Sequence, residues 1–154
     1  VSEARGGRRA AAPPPLEVLF VEDDDGDVLM VREALREAER PTVLRVVDDG
    51  AKALAYLRRQ DPYGDAVRPD LVLLDLNLPK VGGKEVLAEV KEDPALRRIP
   101  VVVFTTSRAE EDVADSYDRH ANAFVTKPDS FEELAAIVRA LDHFFDSVAA
   151  RPPQ

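Results

Sequence analysis

Five short runs of near-continuous apolar residues, 16–21, 43–47, 70–74, 100–104 and 122–125, alternate along the chain with longer amphipathic stretches. Apolar runs of that length without polar alternation read as strands covered on both faces, and helices are what covers them. In the first intervening stretch Val28, Val31, Leu35 and Ala38 fall at i, i+3, i+7 and i+10. Leu54 and Leu57 mark the second, Val86, Leu87 and Val90 the third, and residues 109–119 the fourth. Ser107 with Glu110, and Ser130 with Glu133, have the spacing of a capping box and predict where the fourth and fifth helices start. Five strand-helix alternations with short connections predict a single α/β domain, a doubly wound (βα)5 unit whose parallel sheet carries helices on both faces.

A chain of 154 residues suffices for one such domain. Its boundaries are expected at 16–146, with a flexible N-terminal tail over 1–15 and a C-terminal tail over 147–154. The N-terminal tail (VSEARGGRRAAAPPP) has no apolar stretch long enough for secretion or membrane spanning. No output domain is expected after residue 146, because too few residues follow. The absence of cysteine excludes disulfides, thiolate metal sites and a cysteine nucleophile, and fits a reducing cytoplasm. The net charge of -9 argues against nucleic acid as a partner.

Ligands of parallel sheets collect at the carboxyl ends of the strands. The first apolar run ends in Glu22, Asp23, Asp24 and Asp25, and the third in Asp75. Side by side, these acids repel one another unless a hard divalent cation such as Mg²⁺ sits among them. Thr105 and Lys127 end the fourth and fifth runs. Carboxylates, a cation, a hydroxyl and an ammonium on one rim can accept a phosphoryl group on one carboxylate. Asp75 is the chosen acceptor, since it stands alone after a buried strand. The turn that follows offers a backbone carbonyl, at Asn77, to the metal shell.

These blocks together resemble a known family: Val21-Glu22-Asp23-Asp24, then Leu74-Asp75-Leu76-Asn77-Leu78-Pro79 with Gly82-Gly83, then Val103-Phe104-Thr105-Thr106, then Phe124-Val125-Thr126-Lys127-Pro128. The pattern is similar to the receiver domain of two-component response regulators. The runs LLDLNLPKVGGKEVLAEVK and RIPVVVFTTS more narrowly resemble stand-alone response regulators paired with phytochrome-type sensor kinases. The resemblance implies a flavodoxin-like strand order, 2-1-3-4-5. It also implies that Asp75 takes a phosphoryl group from a sensor histidine kinase. Asp23, Asp75 and the Asn77 carbonyl would ligate Mg²⁺, or Mn²⁺ as a substitute, with Glu22 acting through bound water. Lys127 would pair with the phosphoryl group, while Thr105 moves toward it and Phe124 turns inward. Lys127-Pro128 is expected cis by the same analogy. Two departures stand out: Thr106, beside the phosphoryl group, where many receivers carry Ala or Gly, and Phe124, where Tyr is common.

Each residue taken alone has a plainer reading. The acidic run suits a helix N-terminus, Asp75 a turn, Thr105 a strand end, Lys127 a solvated charge and Phe124 a core aromatic. Asp24, Asp25 and Asp27 read as solvated or capping acids, Lys84 and Lys91 as solvated helix positions, and His120 and His143 as surface residues. On the fifth helix Phe131, Leu134, Val138, Leu141 and Phe145 form one stripe, and Ile137 and Phe144 fall to its side. Those two are candidates for self-association, as a homodimer, or for a partner surface. Two other functions compete. An aspartate-nucleophile phosphatase would need a second acid where Asn77 stands, and a pseudo-receiver would bind partners without phosphorylation. A P-loop enzyme is excluded by the missing Gly-x-x-x-x-Gly-Lys-Ser/Thr.

Overall fold

The structure, a computed structural model, describes residues 14–153, so nearly all of the expected N-terminal tail lies outside the described residues. Strands β1 (Leu16–Val21), β2 (Thr42–Val47), β3 (Leu71–Leu74), β4 (Val101–Thr105) and β5 (Ala123–Thr126) alternate with five helices. These are α1 (Asp25–Leu35), α2 (Gly50–Leu57), α3 (Gly83–Glu92), α4 (Glu110–Asp118) and α5 (Phe131–His143). All strand pairs are parallel, in the order β2-β1-β3-β4-β5. Each observed strand lies within one residue of its expected bounds at either end.

The period-two geometry of the strands divides the core into two. Leu19, Val21, Val72, Leu74, Val101 and Val103 face α2 and α3, whose Leu54, Leu57, Val86, Leu87 and Val90 close that side. Leu16, Val18, Phe20, Leu71, Leu73, Val102 and Phe104 face Val31 and Ala34 of α1 and Leu134, Ala135 and Val138 of α5. Neither face is solvated, which is why the central strands carry no polar alternation.

Helix starts follow side-chain chemistry. Asp24 caps α1 by accepting from the amides of Gly26 and Asp27, Asp49 caps α2 through Lys52 N, and Ser130 caps α5 through Glu133 N. The fourth helix departs from its expected start. Its N-cap is Ala109, because the Ser107 hydroxyl is engaged before the helix begins, donating to Asp112 Oδ2 at 2.5 Å and accepting from Ala109 N. Helix α4 is also the least apolar in its attachment, with Ser116 its one buried residue.

On α5 the buried face includes Ala135 and Asp142, whose carboxylate accepts from the Thr42 hydroxyl at 2.5 Å. These widen the stripe read from sequence, of which Leu134 and Val138 are buried and Leu141 and Phe145 pack against the same core. Phe131, in the first turn, is exposed, and Ile137 is half-buried against the α1-side core. Phe144 remains exposed, edge-on to Phe145 in a π-helical turn (Phe144–Val148) that extends α5. Beyond it, Arg151 donates to the Pro14 carbonyl and pairs with Asp146.

The Lys127–Pro128 bond is trans, not cis as expected; among the described residues the cis peptide is Asp61–Pro62. The two isomers of an X-Pro bond differ by only about 0.5–1 kcal/mol, so local packing decides. Here Lys127 N still donates to Thr105 O at 2.7 Å, which prolongs the β4–β5 ladder to the proline.

Candidate functional site

Strand register brings the expected residues together. Val21 pairs with both Val47 and Leu74, so Glu22 and Asp75 are the next residues at adjacent strand ends. Glu22 N donates to Val47 O at 3.0 Å and Asp75 N to Val21 O at 3.1 Å, extending the sheet ladder into the site itself. Thr105 pairs with Thr126, which delivers Lys127 one residue later from the far side. A slip of one residue in any pair would turn these side chains to the other face.

The Lys127 ammonium lies at the centre. It is bonded to Glu22 Oε1, to Asp27 Oδ2 at 2.8 Å and to Asp75 Oδ2 at 3.3 Å, so its three donors meet three carboxylates. Its Nζ sits 5.6 Å from the centroid of the Phe104 ring. Lys127 is 4% exposed and Glu22 1%. Burial alone would lower the Lys127 pKa, but hydrogen bonds to Asp27 and Glu22 and the charge of Asp75 hold it above the usual lysine range. Burial pushes Glu22 up to about 7, helped by the Asp75 charge and opposed by its hydrogen bond to Lys127.

Asp23 is exposed at the rim, and one carboxylate oxygen each from Glu22, Asp23 and Asp75 lie within 4.8 Å of one another. Oxygens bound to one magnesium ion lie about 3–4.2 Å apart, so side-chain movements that draw the three carboxylates together would let them share an ion. The donors are all hard oxygens, and three carboxylates gathered beside a single ammonium leave negative charge for a cation to neutralise. The residues present therefore fit a divalent cation. Asn77 is exposed in the turn, its N–H donating to Asp75 Oδ1 at 3.2 Å.

Thr105 is fully buried, its hydroxyl 3.5 Å from Ser107 N, whereas Thr106 is exposed. Phe124 is half-buried against the α2–α3 side of the core, and its N–H donates to the Tyr117 hydroxyl of α4 at 3.1 Å. Space for the Asp75 turn comes from Gly83. A Cβ there would strike the Asp75 carbonyl and lie 2.6 Å from Leu76 Cα, while one on Gly82 would meet open space.

Sequence reasoning missed Asp27, which it left among the solvated acids. Asp24 does the capping, and Asp27 turns its carboxylate to Lys127. The available signal was positional: side chains in the first turn of a helix lean toward its N-terminus, and α1 starts four residues after β1, so an acid there leans back over the strand ends. Lys84 was also misread as solvated. It pairs with Asp112 at 2.7 Å and Asp115 at 2.9 Å, tying α3 to α4. Lys91 donates to the carbonyls of Arg97 and Ile99, and burial lowers its pKa.

Comparison with known proteins agrees with this arrangement. Residues 18–139 match the response regulator receiver domain family. The chain is 43% identical over 139 residues to response regulator Rcp1 of Synechocystis sp., covering 90% of this chain and 95% of that protein. The crystal structure of the phosphorylated cyanobacterial phytochrome response regulator RcpA superposes with a TM-score of 0.87 at 46% identity, covering 90% of this chain and 99% of that one. The Mn²⁺-bound form of Rcp1 gives 0.86 at 42% identity, with 90% and 100% covered. With strand order, register and the acid-lysine rim all of one kind, the chain belongs to the response regulator receiver domain family.

Proposed function

We propose that this chain is a phosphoacceptor that receives a phosphoryl group on Asp75 from a sensor histidine kinase. The observation that carries the reading is a buried carboxylate at the end of β3 with an ammonium 3.3 Å away and two further carboxylates within 4.8 Å. An Asp75 oxygen attacks phosphorus, the N–P bond of the phosphohistidine breaks, and the imidazole nitrogen keeps the electron pair. Mg²⁺, held by Asp23, Asp75 and the Asn77 carbonyl with Glu22 behind them, would supply positive charge to the phosphoryl oxygens when bound. Mn²⁺ fits the same oxygens. Lys127 neutralises another phosphoryl oxygen, and Thr105 donates its hydroxyl to a third after leaving Ser107 N. Thr106 controls access from solvent. Phe124, without a hydroxyl, switches by packing alone.

The relatives support a narrower assignment. RcpA is a cyanobacterial phytochrome response regulator, and its likeness to this chain supports a phytochrome-type kinase as partner. Alignment over nearly the full lengths of RcpA and Rcp1 supports a stand-alone receiver as its form. Among the described residues no helix is long and apolar enough to cross a membrane, which accords with a cytoplasmic site of action. The receiver unit is taken as 16–146. For self-association, exposed Phe144 offers more apolar surface than half-buried Ile137. The phosphatase reading is weakened because Asn77 stands where a proton-donating acid would be needed.

Incubation with acetyl phosphate and Mg²⁺ should add one phosphoryl group, seen by intact mass spectrometry, and Asp75→Asn should add none. Labelling of the Asp75→Asn protein would move the acceptor elsewhere.

A further inference from the structure

Four carboxylates, not three, surround the site, and the fourth comes from a helix. Asp27 Oδ2 lies 2.8 Å from Lys127 Nζ, closer than the 3.3 Å that separates the ammonium from Asp75. Its side chain is 19% exposed, so the pair is shielded from full solvent screening. Asp27 is not needed to start α1, because Asp24 accepts the amides there, and it stands outside the carboxylate set that can share a cation.

All three Lys127 donors are occupied by Glu22, Asp27 and Asp75. An anion arriving on Asp75 can gain the ammonium only if one of these bonds gives way. Glu22 is buried at a strand end, whereas Asp27 sits at the edge of the site in a helix turn. Of the partners other than Asp75 itself, Asp27 is therefore the one that can release the ammonium to an incoming anion at least cost.

We propose that Asp27 is a positioning residue: it restrains the Lys127 ammonium while Asp75 is unmodified and competes with the phosphoryl group for it, so that its charge limits how tightly the site takes up a tetrahedral anion. The role rests on Asp75 being the phosphoryl acceptor. Removing the Asp27 charge frees one Lys127 donor and deletes one repulsive charge beside the anion.

The test is the dissociation constant of beryllofluoride, an uncleavable phosphoryl mimic, measured by ¹⁹F NMR at saturating Mg²⁺, together with the Mg²⁺ dissociation constant itself. Asp27→Asn should bind beryllofluoride more tightly by on the order of tenfold, the effect of removing one nearby like charge in a half-buried site. Asp27→Glu, which keeps the charge, should return toward wild type. Asp25→Asn removes the same charge from the same helix turn but at an exposed residue away from Lys127, and should change affinity much less. Unchanged or weaker binding in Asp27→Asn, or an equal gain in Asp25→Asn, overturns the role of Asp27 alone. No binding by wild type overturns the phosphoacceptor reading and this role together.

Discussion

Replacing Lys127 by Met keeps an apolar stem of similar length against Phe104 and deletes the ammonium, leaving Glu22 buried without its cation. Removing one partner of a buried pair costs about 3–5 kcal/mol, because the remaining charge is neither solvated nor compensated. The pH dependence identifies that cause. In the wild type Glu22 has a folded pKa of about 7 against 4.5 for the free side chain, so between these values the folded state holds the extra proton. Stability from this group is fully present below pH 4.5 and is lost as pH rises to about 7, a change of roughly 3 kcal/mol. Without Lys127, which lowers it, the Glu22 pKa rises further, and the decline continues past pH 7 instead of flattening there. Lys127→Met should therefore cost less at pH 5 than at pH 8.

The chain has no tryptophan, so urea unfolding is followed by far-UV circular dichroism at both pH values. Mg²⁺ at a hundredfold excess over its dissociation constant should restore about 2.7 kcal/mol at pH 8. Adding Glu22→Gln to Lys127→Met should recover part of the loss at pH 8 and little at pH 5. A loss independent of pH, or one that Glu22→Gln does not relieve, would mean that Lys127 stabilises the fold through packing and that the buried charge argument is wrong.

Gly83→Ala should destabilise by about 1–3 kcal/mol in urea and reduce acetyl phosphate labelling, since its Cβ displaces the Asp75 turn, while Gly82→Ala should cost under about 1 kcal/mol. Equal effects at the two glycines would refute the steric assignment. Lys84→Gln should speed amide hydrogen exchange in α4 several-fold with α3 little changed, because the ion pairs to Asp112 and Asp115 are among the few anchors α4 has.

The sheet was legible because burial on both faces leaves a simple trace, an apolar run with no alternation, and because each run ends at a chemically distinct residue. Asp75 and Lys127 could be placed on one rim before any coordinates, since right-handed parallel crossovers leave all carboxyl ends on the same side. Asp27 could not be separated from Asp24 and Asp25 by composition. Its role depends on which way one helix turn leans over the sheet. Ser107 does not cap α4 because its hydroxyl oxygen takes the Ala109 amide just before the helix while its O–H turns to Asp112, a local arrangement that spacing does not decide. Phe131 lies near the buried angle of α5 but in its first turn, where the angle alone does not secure cover.

The residues that escaped the sequence share a physical character. Strands and their flanking helices are held by apolar area, which patterns strongly along a chain, whereas α4 is held by single polar contacts, which do not. That difference suits the proposed function, in which one face changes and the rest is kept. The Thr105 hydroxyl faces Ser107 N, the Ser107 carbonyl accepts from Thr126 Oγ1 at 3.1 Å, and the Ser107 hydroxyl reaches Asp112, which Lys84 joins to α3. In the proposed function, withdrawal of the Thr105 hydroxyl toward a phosphoryl oxygen would remove the first link in this series. Each remaining link is a hydrogen bond or a partly exposed ion pair, weak enough to rearrange while the apolar layers on either side of the sheet stay intact.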